Sequence, residues 1–121
     1  MSTEQAKARG RGRSAEYRWA KLTHGKVVGR SKAIILDNGK AIKVDPQHPC
    51  DVIDGKGFGA YECKWYKSLP VWLSKVMKQA ITNCPEGLIP FANVCDRTTR
   101  EKYVIMTEKD FLDLHIGESD G

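Results

Sequence analysis

The stretch VIDGKGFGAY, residues 52–61, most strongly limits what this chain can fold into. It reads as two short β segments around a glycine-rich turn, which places a hairpin in the middle of the sequence. Yet the flanks of that hairpin are charged. Asp51 breaks the first segment, and Glu62 and Lys64 interrupt the second. With side chains alternating faces over 59–65, Glu62 and Lys64 share one face, while Tyr61, Cys63 and Trp65 share the other. A turn centred on Lys56 and Gly57 pairs Ile53 with Ala60, Val52 with Tyr61 and Asp51 with Glu62. A turn at Asp54-Gly55 is the stronger two-residue signal, but it would set Asp51 against Phe58 and Val52 against Gly57. The first register gives the better apolar pairs.

Two carboxylates directly opposite one another, with Cβ atoms about 4.5–5.5 Å apart, repel. A cation must stand near them, or one must keep its proton. Lys64 supplies part of the positive charge. A divalent ion would supply more, and hard oxygen ligands suit Mg²⁺, with Mn²⁺ able to substitute. The plain alternative is a solvated sheet edge on which Glu62 and Lys64 form an ordinary surface pair.

Around this hairpin the chain alternates helical and β-prone runs. A helix is expected over 15–22, capped by Ser14, with Ala15, Trp19 and Leu22 as its buried stripe and Gly25 as its stop. Short strands follow over 26–28, 33–36 and 41–44, the last two joined by the turn signal Asp37-Asn38-Gly39. Pro46 and Pro49 keep the next stretch a loop. Strands at 50–53 and 59–65 precede a helix from Pro70 to about Thr82, on which Leu69, Leu73, Val76, Met77, Ala80 and Ile81 form a stripe. Strands at 88–95 and 102–106 come next. Thr107 and Asp110 then cap a last helix running to Leu114. This order predicts an α/β architecture with a mixed central β-sheet flanked by helices.

The length of 121 residues is that of one domain, expected over 14–116. The net charge of +5 is concentrated at the start, where Lys7, Arg9, Arg11 and Arg13 oppose only Glu4. Residues 1–13 therefore read as a flexible basic arm and 117–121 as a loose tail. Such an arm either meets phosphate, in nucleic acid or on an anionic surface, or serves as a solvated tail. The four cysteines are widely spaced and form no CxxC pair, which points to reduced thiols in a cytoplasmic setting. His48 and Cys50 read as ordinary turn and strand residues. There is no apolar leader and no run of about 20 apolar residues, so neither secretion nor membrane insertion is expected.

Taken together, Glu16 on the first helix, Arg30-Ser31, PCDVI at 49–53, ECK at 62–64 and KQA at 78–80 on the second helix resemble the PD-(D/E)XK nucleases. Within them the chain is most similar to archaeal and phage-type Holliday-junction resolvases, over roughly 14–114. Cys50 separates Pro49 from Asp51, and the DNGKAIKVDPQHP stretch lengthens the gap from Ser31 to Asp51, both departures from the family pattern. The resemblance implies a restriction-endonuclease-like core. It makes Asp51 and Glu62 metal ligands, together with the Cys63 carbonyl, and Glu16 a further ligand through water or a second ion. Lys64 would orient the attacking water and stabilise the phosphorane, with Gln79 steadying the site. The family product is a nick with 5′-phosphate and 3′-hydroxyl ends, made in branched DNA by a homodimer.

Further residues suit a DNA partner. Arg9, Arg11 and Arg13 of the arm, Arg30 and Ser31, and Lys67, Lys75 and Lys78 are candidate DNA contacts, with Trp65, Tyr66 and Trp72 interleaved. Trp72 fits packing or an interface better than base stacking. Trp72 and the apolar residues of 88–94 are candidates for a dimer contact. Two other functions fit the same residues: a nuclease of this fold acting on flaps, forks, single strands or duplex, and a nucleic-acid-binding module without turnover.

Overall fold

A computed structural model describes residues 4–116 and shows an α/β chain with two compact units, 1–66 and 67–121. Helix α1 spans Glu4–Leu22. It therefore begins well before the expected Ser14 cap, and the backbone of 4–13 is helical where a flexible arm was expected. The reason is local: apart from Gly10 and Gly12, this segment is made almost entirely of strong helix formers. The start of the arm and the tail 117–121 lie outside the described residues.

Helix α1 ends in a Schellman arrangement. His24 N–H donates to the Lys21 carbonyl (3.3 Å) and Gly25 N–H to the Ala20 carbonyl (2.8 Å), with His24 left-handed at φ 56°. The glycine thus comes one residue after the left-handed position. Its role is close approach, because a Cβ on Gly25 would run into the Ile53 carbonyl. The buried face is Ala15, Ala20 and Thr23, whereas Leu22, expected in the stripe, is exposed. Thr23 is tolerated there because its hydroxyl donates back to the Trp19 carbonyl at 2.9 Å.

Strands β1 (Lys26–Val27), β4 (Val52–Ile53) and β5 (Ala60–Tyr61) form one antiparallel sheet in the order β1-β4-β5. Strands β2 (Ala33–Ile35) and β3 (Ala41–Lys43) form a separate hairpin pairing Ile34 with Ile42. Their turn is the expected one at 37–39, closed by Lys40 N–H donating to Asn38 Oδ1 at 2.9 Å. Val28, Ile34, Leu36, Val44 and Ile53 bury one another as the core of this unit. Burial of these side chains, roughly 1.5–3 kcal/mol each, is the main force holding the hairpin to the sheet.

In the second unit, α2 (Val71–Asn83) follows Pro70, and β6 (Ala92–Cys95) pairs antiparallel with β7 (Lys102–Ile105). Thr107 caps α3 (Glu108–Phe111) as expected: its hydroxyl oxygen accepts the Asp110 N–H at 3.2 Å. The chain continues as a π-turn over Leu112–Ile116. Among the described residues the strands thus form three small antiparallel sheets, where one mixed central sheet was expected. Strands of two to four residues bury too little side chain to extend a common sheet.

Candidate functional site

The site is assembled on the β4–β5 hairpin and α1. The observed register pairs Val52 with Tyr61 and Ile53 with Ala60, the first of the two possibilities open in the sequence. The ladder slips at its open end. Asp51 N–H donates to the carbonyl of Tyr61 (2.9 Å), the residue that already pairs with Val52. Asp51 and Glu62 therefore do not form a regular cross-strand pair. Instead Asp51 Oδ2 accepts the backbone N–H of Cys63 at 2.7 Å, and its carbonyl accepts the Val28 N–H at 3.0 Å. The first bond crosses to β5's continuation and the second ties Asp51 to the end of β1. The backbone of Asp51 is thus tied to β1 and its carboxylate to the segment after β5.

Glu16 reaches this carboxylate from α1. Burial raises its pKa above the ordinary carboxyl value; the charge of Asp51 and a hydrogen bond to it raise it further, Glu62 adds to the rise, and Arg13 opposes it. Two carboxyls this close repel when both are ionised, which favours the neutral form of Glu16. Glu16, Asp51 and Glu62 thus occupy one electrostatic neighbourhood, with Arg13, one helical turn before Glu16, as a cationic neighbour. Lys64 is exposed and near enough to lower the pKa of Cys63.

Two thiols border the acids. Burial, followed by the charges of Asp51, Glu16 and Glu62, pushes Cys63 up. Cys50 is raised by burial and by Glu62 and Asp51. Both are free, and their surroundings disfavour the thiolates that a soft metal would need. The donors left are oxygens, a set that suits a hard divalent cation. Among the described residues no three His, Cys, Asp or Glu side chains stand as a ready-made ion cage. The fit to Mg²⁺ is therefore one of donor chemistry: an ion would relieve the repulsion between the Glu16 and Asp51 carboxyls.

The remaining candidates belong to other segments of the chain. Arg30 and Ser31 are exposed in a turn closed by Ser31 N–H to the Val28 carbonyl at 3.1 Å, just beyond the residue that binds Asp51. Lys67, Lys75, Lys78 and Gln79 belong to the second unit, where all four are exposed. Arg9 and Arg11 lie in the α1 backbone, and their side chains fall outside the described part of the helix. The second unit also carries an open groove of about 540 Å³ lined by Trp72, Val94, Cys95, Asp96 and Tyr103.

One residue escaped the sequence reading. Asp54 is completely buried and gathers five donors. Its Oδ1 accepts the N–H groups of Lys56 (3.0 Å), Gly57 (2.8 Å) and Phe58 (3.3 Å). Its Oδ2 accepts those of Gly59 (2.8 Å) and the Tyr61 hydroxyl (2.9 Å). The signal was present as an aspartate opening a run with glycine at every second position, a pattern that bares backbone N–H groups to one acceptor.

Among the described residues no helix is long and apolar enough to cross a membrane. No family model, curated protein or solved structure matches the chain.

Proposed function

We propose that the chain is a Mg²⁺-dependent endonuclease of the PD-(D/E)XK type, with a restriction-endonuclease-like core, acting on branched DNA as a Holliday-junction resolvase. The observation that supports this reading is the convergence of Glu16 and Asp51, with Glu62 in their field and Lys64 two residues further along, in the segment that follows the end of β5 at Tyr61.

Asp51, Glu62, the Cys63 carbonyl and Glu16 would hold the ion. When bound, Mg²⁺ or Mn²⁺ neutralises the phosphodiester and lowers the pKa of water. The protein's own part is electrostatic. Cys63 N–H holds Asp51 in place, and Glu16 brings a second carboxyl to it from α1. Lys64 presents an ammonium to the oxygens on which negative charge grows in the transition state. Cleavage leaves a 5′-phosphate and a 3′-hydroxyl. A homodimer would cut a two-fold symmetric junction at paired positions, in the cytoplasm. Gln79 enters this scheme through the family likeness alone.

The test is a panel of junction, flap, Y-fork and linear duplex DNA of equal length, incubated with Mg²⁺, with Ca²⁺ or with EDTA. Wild type is expected to nick the junction only with Mg²⁺, and Asp51→Asn to reduce the rate at least about 10²-fold. Equal cutting of duplex and junction would replace the resolvase reading with that of a broader nuclease. Unchanged Mg²⁺-dependent cleavage by Asp51→Asn would overturn the site, and DNA binding without cleavage would leave a binding module.

A further inference from the structure

The carboxyls of this site come from two elements, α1 and the hairpin, and something must hold those elements in a fixed relation. Two described contacts join them, and a third, within the hairpin, ties Tyr61 to the turn built around Asp54. Gly55 N–H donates to the Thr23 carbonyl (2.9 Å), which pins the last turn of α1 to the hairpin loop. One turn earlier, the Trp19 ring meets Tyr61 edge-on, with centroids 5.4 Å apart and planes at 67°. Tyr61 in turn donates its hydroxyl to Asp54 Oδ2.

Glu16 lies one further turn along the same helix, three residues before Trp19. Tyr61 is the residue immediately before Glu62. We propose that Asp54 is the positioning residue of the acidic site, acting through Tyr61 and Trp19 to set the Glu16 carboxyl against Asp51 and Glu62. This inference rests on the metal-site reading above.

Several observations carry it. Asp54 is 0% exposed, so its charge is compensated by the donors it gathers, and the turn cannot relax without stranding it. The space around its bond to Tyr61 is closed. A Cβ on Gly59 would come within 2.6 Å of the Tyr61 hydroxyl and 2.8 Å of Asp54 Oδ2. Gly59 is therefore fixed by that hydrogen bond rather than by backbone conformation. The second hairpin braces the turn from outside, where Lys40 Nζ donates to the Gly57 carbonyl at 3.1 Å. Partners that orient metal ligands from behind typically change metal affinity 10–100-fold when removed.

The experiment measures Mn²⁺ binding by calorimetry on the full chain, with thermal melting of each variant alongside. Tyr61→Phe removes one oxygen and keeps the ring that Trp19 contacts. It is expected to stay folded at 25 °C and to bind Mn²⁺ about tenfold more weakly than wild type. In a Glu16→Gln background the same change should cost less than about twofold, because the carboxyl it positions is gone. A purely structural role would lower the melting temperature while leaving the affinity of the folded protein intact. Wild-type affinity in folded Tyr61→Phe, or an equal loss in both backgrounds, overturns the inference. Should Tyr61→Phe melt too low for titration, Trp19→Phe, which trims the same chain of contacts from the helix side, decides by the same criteria. Mn²⁺ binding that Asp51→Asn abolishes and Tyr61→Phe leaves unchanged removes the positioning role alone. Absence of Mn²⁺ binding to wild type removes the metal site and the inference with it.

Discussion

Glu16 sits between opposing influences, with Asp51 and burial favouring its neutral form and Arg13 favouring the anion. A carboxyl whose pKa is raised by folding stabilises the folded state below its unfolded pKa, near 4.3–4.5. That contribution is lost as pH rises through the higher folded value. Glu16→Gln keeps a neutral side chain at every pH. The variant should therefore be more stable than wild type at pH 7, with the difference closing as pH falls to about 4. Urea melts across this range check it, and parallel stability curves would show that Glu16 is not burdened by its neighbours. Asp54 is fully buried and accepts four backbone N–H groups and the Tyr61 hydroxyl. Asp54→Ala strands several N–H groups and should cost about 3 kcal/mol or more in the same melts.

At the scale of elements, the end of α1 shows how two adjacent residues divide one task. His24 takes the left-handed conformation and Gly25 the close approach to Ile53. His24→Gly should stabilise the chain by about 0.5–1 kcal/mol by relieving the left-handed strain. Gly25→Ala should destabilise it by about 2 kcal/mol or more, since a backbone carbonyl blocks the new methyl. Equilibrium denaturation of the pair separates the two roles, and equal effects would refute the division. The hairpins were legible here because alternation and turn residues are local signals: the 37–39 turn and the Val52–Tyr61 register both appear where the sequence placed them. The start of α1 was not legible. A capping serine and a glycine-rich arm outweighed the helix-forming residues between the glycines, and the helix extends to Glu4.

At the scale of the whole molecule, the basic start of the chain is continuous with the helix that bears Glu16. If it guides DNA to that carboxyl, replacing Arg9, Arg11 and Arg13 with Gln should weaken DNA binding. The slope of log K against log salt should flatten by about 0.9 for each arginine that meets a phosphate. Binding titrations from 50 to 200 mM salt measure this, and an unaltered slope would leave the arginines without a phosphate contact. The distribution of strands also belongs to this scale. A sequence lists β-prone segments but not which edges meet, and three small antiparallel sheets satisfy the same list as one mixed sheet.

The sequence by itself determined the hairpin, narrowed its register to two possibilities and placed acids where valines were expected, because turn chemistry and two-residue periodicity act over a few neighbours. Tertiary structure decided that Glu16 meets Asp51, that Asp51 turns its carboxylate to the Cys63 N–H in place of facing Glu62, and that Asp54 anchors the turn. Each of these depends on burial and on groups distant in the chain. The energy of a buried carboxyl is set by the donors and charges that folding brings to it, and no local pattern specifies them.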